Sequence, residues 1–536
     1  MAVELSKIPE DILDTNNPPA DHNIPALREF VAKGNARRAF LDSKISLLKL
    51  ELDKLLEERN ALDLEIRKHE GAISPLRHLP PEILSLIFTY AVQPCKTLKD
   101  RKNQYLLDSE SGPWPLGAVC ARWRRIVLFQ PTLWAFLPLY YENQVADSPS
   151  VLASVSVVKV HLALSQNVPL KIVFCPSYDF FISDIEYEVL DLLAQHVPRW
   201  EEAVLSGIPA LYESLSRWSL EFTMLRSLTV SVYTDEGEPE LEIGNVFASC
   251  PILEEVFINH GDDAQDLSLA LPAEGLRRYG ANNSWEHHAE VLGTATNLVD
   301  CVLSITEPEL VLVSARDKIQ LPSLRRLAVT EVQFLGLLET PVLQELYCSE
   351  HTPQLHRHLR RLPGLKKLFV GSPRTPVDLA SFMHSIPAVT SLCMYLPMNL
   401  ASTIFEILES APSASQGVNQ LMSQADTPPL PALNALTLWF GPKMQTDLEL
   451  GEPIDQEQLM RAVAAQWRAT VPLGSFQMYA MKFIPLVSTL ACMYTLRHQG
   501  MEFVLETRSR RLYERVVPED FRVYRDGYSL TEILIE

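Results

Sequence analysis

The sequence predicts an α/β protein in three parts: a long N-terminal helix, a small all-α stretch, and a repetitive α/β platform. Three observations predict it. Residues 26–70 contain no proline and place apolar residues at heptad spacing. Residues 73–137 concentrate large apolar side chains in three short amphipathic elements. From about residue 150 a pattern of apolar, two residues, apolar, one residue, apolar recurs along the chain.

At 536 residues the chain is too long for one core, so about three or four structural units are expected. Hydrophobic content of 47% and charged content of 21% are globular values. The net charge of −20 argues against a general binder of nucleic acid or anionic membrane, because phosphate contact needs clustered Lys and Arg. The cysteines, Cys95, Cys120, Cys175, Cys250, Cys301, Cys348, Cys393 and Cys492, are too far apart for a disulfide framework or a metal-ligand set. Most sit in apolar runs and read as small buried hydrophobes in a reducing compartment. The N-terminus has early acids and no apolar core, unlike a secretory signal. The longest membrane-like run, 379–405, is broken by His384, Pro387, Pro397 and Asn399, so no membrane span is expected. Together these features point to a cytoplasmic or nuclear location.

Residues 1–25 are polar and rich in Pro and Asn, and are expected to be flexible. Residues 26–72 are expected to form one long helix. Leu41, Ile45, Leu48, Leu52, Leu55, Leu62 and Ile66 mark its apolar seam, interrupted by Arg59. The seam fits a dimerising coiled coil, with self-association through 41–66. The competing reading is a single helix packed back on its own protein. Gly71 is expected to end it.

In residues 73–140, Leu79-Pro80-Pro81-Glu82 is a helix start. Pro81 has the φ a first turn needs, and Glu82 faces the positive end of the helix dipole. Ile83, Leu84, Ile87, Phe88 and Ala91 are expected on one apolar face. Residues 94–113 are a polar insert. A second helix is expected to carry Leu116, Val119, Cys120, Trp123 and Ile126. Pro131 opens a short third element presenting Leu133, Trp134 and Leu137. About 50 residues cannot hide this much apolar surface alone, so either a partner or the rest of the chain covers it.

The platform, residues 150–500, rests on ten anchors: Trp200/Ala203/Leu205, Leu225/Leu228/Val230, Leu253/Val256/Ile258, Leu276/Tyr279/Ala281, Leu298/Cys301/Leu303, Leu324/Leu327/Val329, Leu343/Leu346/Cys348, Leu365/Leu368/Val370, Val389/Leu392/Met394 and Leu433/Leu436/Leu438. Their steps run from 19 to 28 residues, except a last step of 44. Seven anchors have Pro two residues upstream, from Pro198 to Pro431. Proline ends a preceding helix and sets an extended chain, and the alternating apolar residues then give a short strand with one buried face. Helical pieces such as 185–196, 210–218 and 354–361 alternate with the anchors. Residues 411–430 read as a flexible loop, and 501–536 as a C-terminal cap and tail. The basic cluster Arg508, Arg510, Arg511 and Arg515 reads as a solvated face.

No P-loop, GxGxxG, HExxH, GxSxG or CxxC is present. His287-His288 has no acid or thiol at ligand spacing and is expected to be solvent-exposed. The reading is therefore non-enzymatic, with no catalytic residue, cofactor or metal site.

Two resemblances sharpen this. LPPEILSLIFTYA at 79–91, followed by VCARWRRIVLFQPTLW at 119–134, resembles the F-box in both halves and in order. The layout is similar to that of many fungal F-box proteins, although the insert is longer than usual. The period of the platform resembles that of leucine-rich repeats, in degenerate form, which implies a solenoid. The F-box resemblance implies binding to a Skp-type adaptor and, through it, to a cullin. The implied contacts are Leu79, Pro80, Pro81, Glu82, Ile83, Leu86, Ile87, Val119, Cys120 and Trp123, with Phe88, Ile126 and Trp134 as internal packing. The implied role is substrate recognition in an SCF-type ubiquitin ligase for ubiquitin-dependent protein degradation, with the solenoid holding a protein target. An interaction scaffold without a ligase is the alternative.

Overall fold

The computed structural model describes residues 18–92, 112–141, 149–176, 182–218, 221–232, 241–260, 267–305, 318–348, 352–371, 375–410, 432–441, 454–467, 473–480, 486–507, 524–525 and 528–529. The segments expected to be loose or looped (1–17, most of the insert, 411–430), Cys95 and the Arg508–Arg515 cluster lie outside the described residues. The chain falls into two compact units, Met1–Leu84 and Ser85–Glu536.

The first unit is dominated by helix α1, Ile24–Ile73, 50 residues long. Its run of Leu, Lys, Glu and Arg favours helix at nearly every position, and Pro25 occupies its first turn. Gly71 does not end it. The helix runs on to Ile73 and stops at Ser74, which is extended at φ −55, ψ 131, because Pro75 disfavours the helical conformation of the residue before it. None of the residues of α1 is buried.

Helix α2, Pro81–Val92, follows. The second expected helix is two: α3, Trp114–Val119, and α4, Ala121–Leu128. Cys120 between them is extended (φ −162, ψ 168), and its Sγ accepts the Trp123 N–H at 3.5 Å, capping α4. A 3-10 turn, Pro131–Trp134, leads into the sheet.

That sheet has 14 strands, all in chain order: β1 Phe136–Tyr140, β2 Leu170–Cys175, β3 Trp200–Gly207, β4 Ser227–Val232, β5 Glu255–His260, β6 Arg278–Asn283, β7 Asp300–Ile305, β8 Arg326–Val329, β9 Glu345–Cys348, β10 Lys367–Val370, β11 Ser391–Pro397, β12 Ala435–Gly441, β13 Ser475–Ala480 and β14 Glu502–Thr507. Every neighbouring pair is parallel. Parallel neighbours need crossover connections, and helices or 3-10 turns supply most of them, among them α5 Pro149–Leu164, α6 Asp184–Ala194, α7 Pro209–Ser216 and α8 Trp285–Thr294.

The repeat pattern explains the register. The middle anchor residues pair directly across nine steps, from Ala203↔Leu228 to Leu392↔Leu436. Each of these side chains is buried in one continuous core with the helices. The upstream prolines act through a turn. The amide of Leu253, Leu324, Leu343, Leu365 and Val389 donates to the carbonyl just before the proline, at 3.1–3.3 Å, so Pro sits where a β-turn favours it. The chain then enters the strand in fixed phase.

The sheet extends past the expected bounds at both ends. β1 lies inside the stretch expected to be all-helical, and Leu137, expected on the third short helical element, instead pairs with Ile172 in the sheet. β14 lies beyond residue 500 and continues the same ladder, Leu436↔Phe476↔Phe503. It is delivered by Gly500, at φ +100, after helix α13 (α9–α12 being Pro353–Leu359, Pro376–His384, Ala401–Glu409 and Gln456–Trp467; α13 is Val487–His498). The Gly500 and Met501 amides donate to Arg497 and Leu496 at 3.0 and 3.1 Å, a glycine stop that a side chain would strain.

His288 is fully buried, not exposed as expected. With Trp285 and Leu292 it lies on the inward face of α8, and adjacent helix residues point different ways, so His287 stays half-exposed. Among the described residues, no helix is long and apolar enough to cross a membrane.

Candidate functional site

Helix α2 carries two apolar stripes. Leu84 and Phe88, four apart, are buried. Ile83, Leu86, Ile87 and Tyr90, at three-and-four spacing on another side, are 42–67% exposed. Ile83 and Ile87 therefore do not share a face with Leu84 and Phe88, and Ala91 is exposed as well. A helix in a small bundle needs only one apolar stripe; the second stays exposed among the described residues.

In the first unit, the Pro80 carbonyl accepts the amides of Ile83 and Leu84, each at 3.1 Å. Pro80, Pro81, Glu82 and Ile83 are exposed and Leu79 is half-buried. In the second unit, Phe88 and Ser85 of α2 are held by α4 and the turn that follows it. The Phe88 and Trp123 rings lie 4.7 Å apart, and the Ser85 hydroxyl donates to Gln130 Oε1. Leu86 and Ile87 are left outward, and Val119 and Cys120 at the α3–α4 joint are exposed too. Trp123 is shared: one side on Phe88, the rest half-exposed. Arg124 Nε ties the joint by donating to the Gly117 carbonyl at 3.0 Å.

Beneath this lies an aromatic knot. Trp134 is buried, donates Nε1–H to the Val127 carbonyl at 2.9 Å, and meets Trp114 edge-on at 5.0 Å. His161 of α5 packs 4.9 Å from Trp134 and donates Nδ1–H to its carbonyl at 3.3 Å. Burial pushes the His161 imidazole down to about 4, so it is neutral at neutral pH. Phe88 and Trp134 are thus interior, while Ile126 is only half-buried. Exposed Tyr90, Leu128 and Phe129 were missed in the sequence. Tyr90 was legible, being three residues beyond Ile87 and four beyond Leu86.

The sheet offers a second surface on the face away from the helices. There the strands align Lys171, Glu202, Ser227, Glu255, Arg278, Asp300, Arg326, Glu345 and Lys367 in one cross-strand row. Arg278 reaches Glu255 and Asp300 at 3.3 and 3.5 Å, Arg326 Nε donates to Asp300 Oδ1 at 2.6 Å, and Lys367 meets Glu345 at 2.8 Å. Beside it runs a small apolar row of Val302, Ala328, Tyr347 and Phe369. At the strand starts a cleft of about 690 Å³ is lined by Arg277, Arg325, Asn297 and Gln344 among others.

Groups with chemical potential are used for packing. The His288 Nε2–H donates to the Ser304 carbonyl at 3.0 Å while Nδ1 accepts from the Tyr279 hydroxyl at 3.1 Å. Burial raises the Tyr279 phenol and the Cys301 thiol well above their ordinary ranges. Among the described residues, no three His, Cys, Asp or Glu side chains gather as a metal site. No protein-family model matches the chain, and no curated protein matches it in sequence.

Proposed function

We propose that the protein is a non-catalytic substrate receptor of an SCF-type ubiquitin ligase. In this reading residues 73–134 act as an F-box that binds a Skp-type adaptor, and the adaptor connects to a cullin. The 14-stranded sheet with its helices acts as a degenerate leucine-rich-repeat solenoid that holds the protein target. One observation carries the reading: α2 keeps an exposed apolar stripe although its other stripe already satisfies the interior. Desolvating such side chains against a partner is worth about 1.5–3 kcal/mol each when burial is complete. The proposed adaptor contacts are Leu79, Pro80, Pro81, Glu82, Ile83, Leu86, Ile87, Val119, Cys120 and Trp123. No covalent step occurs on the chain, whose contribution is to bring target and transfer machinery together.

The test is capture by a recombinant Skp-type adaptor. The wild-type chain is expected to bind. A Leu79→Ala, Pro80→Ala double variant and a Leu86→Asp, Val119→Asp double variant are expected not to bind while keeping the melting temperature of the wild type. Equal capture of all three chains rules the reading out. The scaffold reading is favoured by the exposed seam of α1. It predicts self-assembly without adaptor capture.

A further inference from the structure

We propose that residues 41–66 of α1 pair with the same residues of a second copy as an antiparallel two-helix coiled coil. The inference is independent of the ligase reading. The seam residues from Leu41 to Ile66 are 43–58% exposed, and no residue of α1 is buried. An apolar stripe at heptad spacing on a helix of this length calls for a partner helix.

The spacing says which partner. Positions 41, 45, 48, 52, 55, 59, 62 and 66 are symmetric about a point between Asp53 and Lys54. Turned end for end on itself, the segment sets Leu41 on Ile66, Ile45 on Leu62 and Leu52 on Leu55 of the partner copy. The remaining layer sets Leu48 on Arg59. The next layers outward would be Arg38 on His69 and Gly34 on Ile73, so the pairing ends where the apolar match ends. The paired length is about 39 Å at 1.5 Å per residue.

Arg59 selects the direction. In a parallel pair every seam residue meets its own copy, so two Arg59 side chains would share one core layer. Like charges brought together out of water repel strongly. The antiparallel pair keeps the two Arg59 residues about 16 Å apart along the axis, and each lays its aliphatic stem over Leu48 and carries its guanidinium to the edge. The flanking charges agree more weakly. A parallel pair sets Lys44 beside Lys49, Glu58 beside Asp63 and Glu65 beside Glu70, against one favourable pair, Arg37 with Asp42. The antiparallel pair sets Lys44 beside Glu65, against Asp42 beside Asp63 and Glu51 beside Glu58.

The experiment is sedimentation equilibrium on the full chain at neutral pH. Wild type is expected to dimerise reversibly, and a monomer at all micromolar concentrations overturns the proposal. Leu52→Glu places a carboxylate opposite Leu55 and is expected to give monomer. Leu48→Glu instead places it opposite Arg59 of the partner copy, and the dimer is expected to persist within about tenfold of the wild-type affinity. In a parallel pair Leu48→Glu would meet itself, so equal loss in both variants overturns the antiparallel arrangement. Circular dichroism confirms that each variant keeps its helix content.

Discussion

At the scale of single residues, the candidate surface depends on which side chains are spent on the interior. Trp134 and His161 anchor the small helices to α5, and the cost of burying His161 appears in its acid–base behaviour. In the unfolded chain this imidazole titrates near 6.5; in the fold it is held down to about 4. Between those values the unfolded state binds more protons than the native one, so this group's contribution to stability rises with pH. It is complete above about 6.5 and is lost progressively as the pH falls toward about 4. The full difference is on the order of 3 kcal/mol. Urea unfolding of wild type and His161→Gln at pH 7.5 and pH 4.5 should show it. The wild type is expected to lose more stability on acidification than the variant, by about 2–3 kcal/mol. A pH dependence identical in both would mean that His161 is protonated without cost.

At the scale of elements, the pattern in the sequence and the register in the sheet are one fact. The middle anchor positions, from Ala203 to Leu436, pair directly in the structure. A proline turn fixes where many strands start, and a parallel neighbour then has only one register that buries the same face. The end strands were harder to read. Trp134, Leu137 and Leu139 fit the spacing of the repeat, but they follow a helical stretch whose apolar spacing matches that of the segment before it. At the other end, Met501, Phe503 and Leu505 alternate without the leading gap of two. The outer row was not legible at all, because Lys171, Glu202, Arg278, Asp300 and Arg326 lie one per strand and many residues apart. Only the ladder makes them neighbours. Asp300 is the pivot of that row, with its carboxylate 8% exposed between Arg278 and Arg326. Asp300→Ala removes the carboxylate that both guanidiniums share. It is expected to cost about 3 kcal/mol, as loss of one partner from a largely buried pair does. Glu188→Ala, which breaks the exposed Lys159 pair, is expected to cost less than about 1 kcal/mol. Denaturant midpoints of the two variants check this, and similar midpoints would show that the row is solvated.

At the scale of the whole molecule, the two compact units have different physics. The second holds one continuous core that runs from Ala135 to Phe503, so every strand between the edge strands β1 and β14 is stabilised by a neighbour on each side. The first is largely a 50-residue helix with nothing buried, so its side chains add little burial to the stability of the fold. The sequence left its seam open between self-association and packing on its own protein, because heptad spacing identifies an apolar stripe and is silent about what covers it. Exposure of all the seam residues turns that choice into a measurement. A chain that starts at Ser74 lacks α1 entirely. If α1 contributes only recognition, the melting temperature should stay within about 2 °C of the full chain, since surface changes away from the core are worth about 0.5 kcal/mol or less. The same truncation should convert the dimer to a monomer and leave capture by the adaptor intact, because Leu79, Leu86 and Val119 all remain. A fall in melting temperature of several degrees, with the mass unchanged, would show instead that α1 is a structural strut of its own chain. Loss of adaptor capture alongside loss of the dimer would mean that the adaptor is held by two copies acting together.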